Sequence, residues 1–404
     1  MAQSTITFQS WFQQLDDLLY QGRHWWQLQA FHQRDYPWQQ SDLGRQLDAL
    51  SAEELEILST DDSARAKWLI PWIAEAETLV ELAKVDRLIL SDLKLPERLN
   101  HKVPGKKWQQ ICAFVSARPS RKFANSDETL LEWCAGKGHL GRVFSVHDNC
   151  SVTSLEWQQA LCDDGNALAR RQQLSQSFVC ADAFSDQAKQ QVSLHSHAVA
   201  LHACGDLHTT LMSHWAEQGG KTLSISPCCY HLTKCDHYQP LSTPAQRGMV
   251  HLSRADLSLP LQQTVTAGAT VRRRRDKELQ WRLAFDEWQR DWRGVDEYLP
   301  VARMESRWLN DSFQACVQAL AEQKQLQIPT AVDESHWLSL GEKRFQRVRR
   351  IELVSHLYRR PLELWLVLDR VLFLQERGAV VTLGEFCDTE LTPRNLFIHA
   401  DRKR

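Results

Sequence analysis

One strand, one acid and three glycines within thirteen residues restrict this chain more than anything else in it. Thr129-Leu130-Leu131-Glu132-Trp133-Cys134-Ala135-Gly136-Lys137-Gly138-His139-Leu140-Gly141 reads as a short apolar strand, a tight loop and the start of a helix. Glycines at that spacing allow a sharp turn and a close approach of backbone to a ligand. The bare G-x-G-x-x-G pattern is common by chance, so its flanks have to carry the meaning.

Those flanks favour one class of ligand. A loop that cradles a pyrophosphate gains from bare amide donors and the positive end of a helix. This loop opens instead on a carboxylate, Glu132, which suits a ligand presenting a cation, such as the amino group of S-adenosylmethionine. Cys150–Glu156 reads as a second strand ending in an acid, Glu156, placed to accept hydrogen bonds from ribose hydroxyls. Ser177–Ala183 reads as a third, with Asp182 and Ala183 at the adenine end. His197–Asp206 is a fourth strand leaving through Gly205, and Lys221–Pro227 a fifth. Strands alternating with helical stretches predict a parallel sheet covered on both faces.

Three further motifs accompany this pattern: His202-Ala203-Cys204-Gly205-Asp206-Leu207, Ser226-Pro227-Cys228-Cys229-Tyr230 and Leu391-Thr392-Pro393-Arg394-Asn395-Leu396. From about residue 100 onward the chain resembles the class I S-adenosylmethionine-dependent methyltransferases. Within them it is similar to a branch of methyltransferase-like proteins and to the catalytic part of the glutathione S-transferase C-terminal-domain-containing protein. The resemblance implies an α/β fold, a Rossmann-like seven-stranded sheet closed by an antiparallel hairpin, with strands one and four flanking the cofactor crevice. S-adenosyl-L-methionine is the implied cofactor. Its expected binding residues are Glu132, Cys134, Ala135, Gly136, Gly138, Glu156, Asp182, Ala183 and His202. The expected catalytic residues are Asp206, Tyr230 and His202. Asp206 would receive the acceptor's proton, unless it only caps the following helix; Tyr230 would stack on the acceptor or pack in the core; His202 would serve the site or sit satisfied inside the strand.

Four segments are expected: residues 1–104, an acidic helical region; 105–234, the cofactor-binding core with strands one to five; 235–377, a helical insertion for substrate recognition; and 378–404, the closing hairpin. The acidity is plain in the counts, with nine Lys/Arg against sixteen Asp/Glu in residues 1–100. The remainder is mildly basic. Arg272–Arg275 form one run, and Lys343, Arg344, Arg347, Arg349, Arg350, Arg359 and Arg360 a second cluster. These make RNA the favoured acceptor, ahead of protein. The aromatic series Trp281, Phe285, Trp288 and Trp292 recurs at helical spacing and reads as core.

Neither a signal peptide nor a membrane span is visible, and eleven cysteines scattered through predicted elements suit reduced thiols in a cytoplasm. Cys228, Cys229, His231, Cys235 and His237 crowd into ten residues, but their spacing matches no standard zinc pattern, so no metal ligand set is read from them. Two other readings compete with methyl transfer: a scaffold that binds S-adenosylmethionine without catalysis, and a dinucleotide-dependent oxidoreductase using the same loop.

Overall fold

A computed structural model describes residues 6–38, 41–119, 128–262, 269–301, 304, 308–327 and 332–402. Seven strands form one sheet in the order β3-β2-β1-β4-β5-β7-β6. They are β1 Thr129–Trp133, β2 Ser151–Glu156, β3 Gln176–Cys180, β4 His197–Cys204, β5 Thr222–Cys228, β6 Ala379–Glu385 and β7 Leu396–Arg402. The first five are parallel; β7 runs antiparallel between β5 and β6. The chain order reverses between β1 and β4, and a sheet of this kind binds ligands beyond the C-terminal strand ends at that point. The seven-stranded α/β sheet and its closing hairpin are those expected.

Helices Gly105–Ser116 and His139–His147 cover one face of the sheet. Ile111, Phe114 and Val115 meet Val143 and Phe144 there, over Leu130, Val152, Val199 and Phe397 from the strands. Burial of each such side chain contributes roughly 1.5–3 kcal/mol. That packing seats β1 and the helix that follows its outgoing loop on one core.

By packing, the chain divides into two units, each drawn from separated segments. One comprises Met1–Gln21, Thr78–Thr266 and Arg359–Arg404; the other comprises Gly22–Glu77 and Ala267–Tyr358. The division cuts across segments 1–104 and 235–377, because helix Phe8–Gln21 and helix Arg359–Glu376 both belong with the sheet. Asp16, fully buried, accepts hydrogen bonds there from the Met249 amide (2.7 Å) and the Trp365 indole (2.9 Å).

The second unit has its own core. Trp281, Phe285 and Trp288 of helix Ala269–Arg293 pack with Phe313, Val317 and Leu320, as their spacing predicts. Trp292 is the exception: it is half exposed and stacks on Trp288. The second basic cluster is largely consumed in the fold. Arg344 is buried between Asp286 (2.6 Å) and Glu287 (2.8 Å), Arg347 pairs with Asp35, and Arg349 pairs with Glu56. Arg350 donates to the carbonyls of Leu47 and Leu50. In the first unit, Arg360 pairs with Glu363 and Glu385. Charges so occupied are not available to phosphates, which corrects the expectation of a basic surface there. Arg272–Arg275, by contrast, are exposed. Among the described residues, no helix is long and apolar enough to cross a membrane.

Candidate active site

The β1 carboxylate, Glu132, shapes the loop from below. It is 3% exposed and accepts from Ser154 Oγ (2.6 Å), Gln176 Nε2 (3.5 Å) and the backbone amides of Leu140 and Gly141. Four donors fill the acceptor capacity of one carboxylate. The expectation that Glu132 meets the ligand's ammonium directly is therefore corrected: it anchors the helix start that follows the loop. Burial, partly offset by the Ser154 hydrogen bond, raises its pKa to about 7. Gly141 serves this anchor, since a Cβ there would lie 2.5 Å from Glu132 Oε2.

The loop's own amides are committed to protein. Ala135 N donates to Leu155 O, Gly138 N to Ala135 O and Gly136 N to Glu156 Oε2, each at 2.9 Å. Amides so committed make a poor pyrophosphate cradle, which needs bare donors. Cys134, Gly136 and Gly138 all have left-handed backbones. At Gly136 a Cβ would meet nothing within 4 Å, so the loop turns a bare backbone toward open space. Lys137 points away and pairs with Asp164 at 3.1 Å.

The other expected residues lie around this loop. Glu156, 5% exposed, holds the Gly136 amide and also accepts from Gln158 N at 3.1 Å. Asp182 is exposed, with Oδ1 accepting from Phe184 N at 3.0 Å, and Ala183 beside it is buried. Asp182 is not the cap of the next helix; Ser185 takes that place, accepting from Ala188 N. Burial, then the nearby Glu156, Cys204 and Asp182, push the Cys134 thiol up to about 12. Strand ends β1 to β4 thus converge electrostatically on one place.

His202 is not a core histidine. It lies on β4 at a register shift between Leu201 and Cys204, with φ of 70° and its ring reaching solvent. Its Nε2 is 3.1 Å from Gln110 Oε1; the amide oxygen can only accept, so Nε2 carries the proton and Nδ1 is left as an acceptor. Surrounding protein and then the Lys107 ammonium hold its pKa below the usual histidine value.

Asp206 opens helix Asp206–Glu217, half-buried, and its Oδ2 accepts from Lys234 N at 2.8 Å. The Asp206 amide in turn donates to Leu232 O at 3.0 Å, so the β4 turn and the loop after β5 are clamped together. Gly205 is indispensable here, because a Cβ would lie 1.9 Å from Leu232 O. From that loop Lys234 Nζ sits 3.9 Å over the ring of Phe184, which follows β3.

Tyr230 is core. It is 3% exposed, faces His208 edge-on and lies under the Arg370 guanidinium. Burial raises its pKa above the usual tyrosine value. Stacking on an acceptor would need an exposed ring, so that expectation is corrected. The crowded group after β5 also differs from its reading: Cys235 and His237 are exposed, and the thiols that gather are Cys204, Cys228 and Cys229. Sequence reasoning missed Ser154 and Gln176 beneath Glu132, and Phe184 and Lys234 above the strand ends. Only residues brought in from other strands identify them. A separate cleft lined by Arg118, Glu128, Lys221 and His399 lies at the opposite, N-terminal strand ends, where such sheets do not bind their ligands.

A family model described as a methyltransferase domain matches residues 106–236. No curated protein matches the sequence significantly. Among solved structures, an O-methyltransferase family protein from Burkholderia thailandensis is similar over 88% of this chain and 74% of its own, at 10% identity and a TM-score of 0.31. Geranyl diphosphate C-methyltransferase from Streptomyces coelicolor A3(2), solved with Mg2+, geranyl diphosphate and S-adenosyl-L-homocysteine, is similar over 38% and 63%, at 14% identity and a TM-score of 0.23. The chain spans 43% and 54% of the lengths of two further neighbours. Residues 106–236, which the methyltransferase-domain model matches, hold strands β1 to β5 of the seven-stranded sheet.

Proposed function

We propose that the protein transfers a methyl group from S-adenosylmethionine to a macromolecule, with RNA favoured over protein. The observation that carries the cofactor half is the loop whose amides of Ala135, Gly136 and Gly138 are already bonded within the protein. A loop in that state offers carbonyl oxygens and open space at Gly136, which suits an ammonium and not a phosphate. Glu156 and Asp182 add acceptors for ribose hydroxyls and the adenine amine. These residues fit the cofactor, which supplies an electrophilic methyl group on a sulfonium when bound.

The chain's own task is then alignment, exclusion of water and acceptance of a proton. Asp206 keeps Oδ2 on the Lys234 amide and has Oδ1 left to face an acceptor. His202 offers Nδ1 from the same strand end. Acceptor class rests on the exposed arginines 272–275, which suit phosphate contact. Eleven free thiols fit a cytoplasmic setting.

The deciding experiment is radiolabelled methyl transfer into fractionated cell extract, with the product treated by RNase or protease. Label released by RNase alone supports the proposal. Label released by protease alone overturns the RNA assignment. Cofactor binding without any labelled product makes the protein a scaffold.

A further inference from the structure

Three cysteine thiols meet where β4 and β5 end. Cys204 and Cys228 are register partners on adjacent strands, with Sγ atoms 3.2 Å apart. Cys229 completes the group, and all three sulfurs lie within 4.8 Å of one another. Consecutive residues of an extended strand point to opposite sides, so Cys228 and Cys229 would ordinarily diverge. Here Cys229 takes a left-handed backbone, φ 47°, which turns its sulfur back to its neighbour's. On the facing strand the left-handed His202 and the register shift after Leu201 bring Cys204 into line. Each such residue costs on the order of 1–2 kcal/mol, and the chain spends it twice at one spot.

We infer that Cys204, Cys228 and Cys229 bind a zinc ion as thiolates, with a water as the fourth ligand. Zinc–sulfur bonds of about 2.3 Å in a tetrahedron set sulfurs about 3.8 Å apart. The separations here, 3.2 Å for one pair and within 4.8 Å for all, bracket that value. As each bond forms, a thiol gives its proton to solvent; no electrons are transferred. One ligand ends β4 and two stand where β5 ends, so the ion ties the two strand ends together. It staples the loop after β5 to the end of β4, beside the clamp that Asp206 makes through Lys234. Sequence spacing concealed it because Cys204 stands on a different strand from the crowded group after β5.

Zinc binding at these residues does not depend on methyl transfer, and one set of samples separates the two. Full-length protein purified under reducing conditions, without chelators, is assayed for zinc by elemental analysis. It is then stripped and titrated with cobalt(II). Stoichiometric zinc and a thiolate-to-cobalt charge-transfer band are expected, both lost in Cys229→Ser and in Cys204→Ser. Wild-type protein that melts cooperatively yet holds no zinc and gives no band overturns the inference, as does a band unaltered in both serine variants. Calorimetry with S-adenosylmethionine on the same samples keeps the readings apart. Zinc bound without cofactor binding would sink only the methyltransferase assignment.

Discussion

The backbone amide of Gly136 donates to Glu156 Oε2 at 2.9 Å, tying the turn after β1 to the end of β2. One carboxylate thereby fixes the loop and stays at its rim. Glu156→Gln keeps an acceptor for Gly136 but loses the charge. We expect S-adenosylmethionine affinity to fall about 10–100-fold, the scale of a hydrogen bond to a charged group, with little change in melting temperature. Titration calorimetry and a thermal melt check both halves.

Gly136 and Gly138 should respond differently to substitution. Gly136→Ala places a methyl group where nothing lies within 4 Å, in a backbone with φ of 57°. The strain costs about 1–2 kcal/mol, and the methyl takes up the cofactor's approach. Affinity should drop tenfold or more while the protein stays folded. A Cβ at Gly138 would lie 2.4 Å from Phe178 and Gln176, so Gly138→Val should instead unfold the loop region. Equal affinity for the cofactor in wild type and Gly136→Ala would remove the loop from the site.

Glu132 makes stability depend on pH. Burial raises its folded pKa to about 7 from the usual 4.5. Between those values the folded state binds the proton more tightly, so this group's contribution is full below pH 4.5 and is lost as pH rises through 7. The loss amounts to at most about 3 kcal/mol. Glu132→Gln should flatten that part of the curve. Urea unfolding of both proteins from about pH 4.5 to 8 measures it. The difference between the two curves isolates Glu132 from other buried acids such as Glu352. Parallel curves would refute the assignment.

Asp206 can be tested as clamp and as proton acceptor separately. Asn still accepts from Lys234 N but takes no proton, whereas Ala does neither. Asp206→Asn should slow methyl transfer by about two orders of magnitude at saturating cofactor, with cofactor affinity retained. Asp206→Ala should add a loss of order in the 231–235 loop, read by amide exchange. Wild-type turnover in the Asn variant would leave Asp206 the clamp alone.

Replacing Arg272, Arg273, Arg274 and Arg275 together by alanine should weaken RNA binding and reduce its salt dependence. The log–log slope should fall by roughly 0.7–0.9 for every phosphate that the variant no longer neutralises. An unchanged slope would move the interface elsewhere. Few alternatives remain in the second basic cluster, where Arg344, Arg347, Arg349, Arg350 and Arg360 are already paired within the protein.

The sequence by itself determined the sheet. Apolar runs of strand length, each ending in an acid or a glycine and separated by helical stretches, specify β1 to β5 locally, so their order could be read before any contact was known. Glu156 and Asp182 were legible for the same reason: a residue at a strand end has its place set by the strand. What lies on a side chain's far side was not legible, because it comes from other parts of the chain. Glu132 looked like a ligand contact until Ser154 and Gln176 arrived from β2 and β3 to fill it. Tyr230 sat in the right motif, but helix Arg359–Glu376 buries it. His202 read as a site residue or a satisfied strand histidine, and a register shift on β4 turned it outward. The basic cluster of residues 343–360 advertised a surface until carboxylates and carbonyls from distant parts of the chain neutralised most of it. The three thiols show the same limit from the other side: Cys228 and Cys229 were visible as a pair, but their third partner, Cys204, is 24 residues away in sequence and 3.2 Å away in space. Local pattern sets where an element lies, and tertiary packing decides which of its polar groups remain free to act.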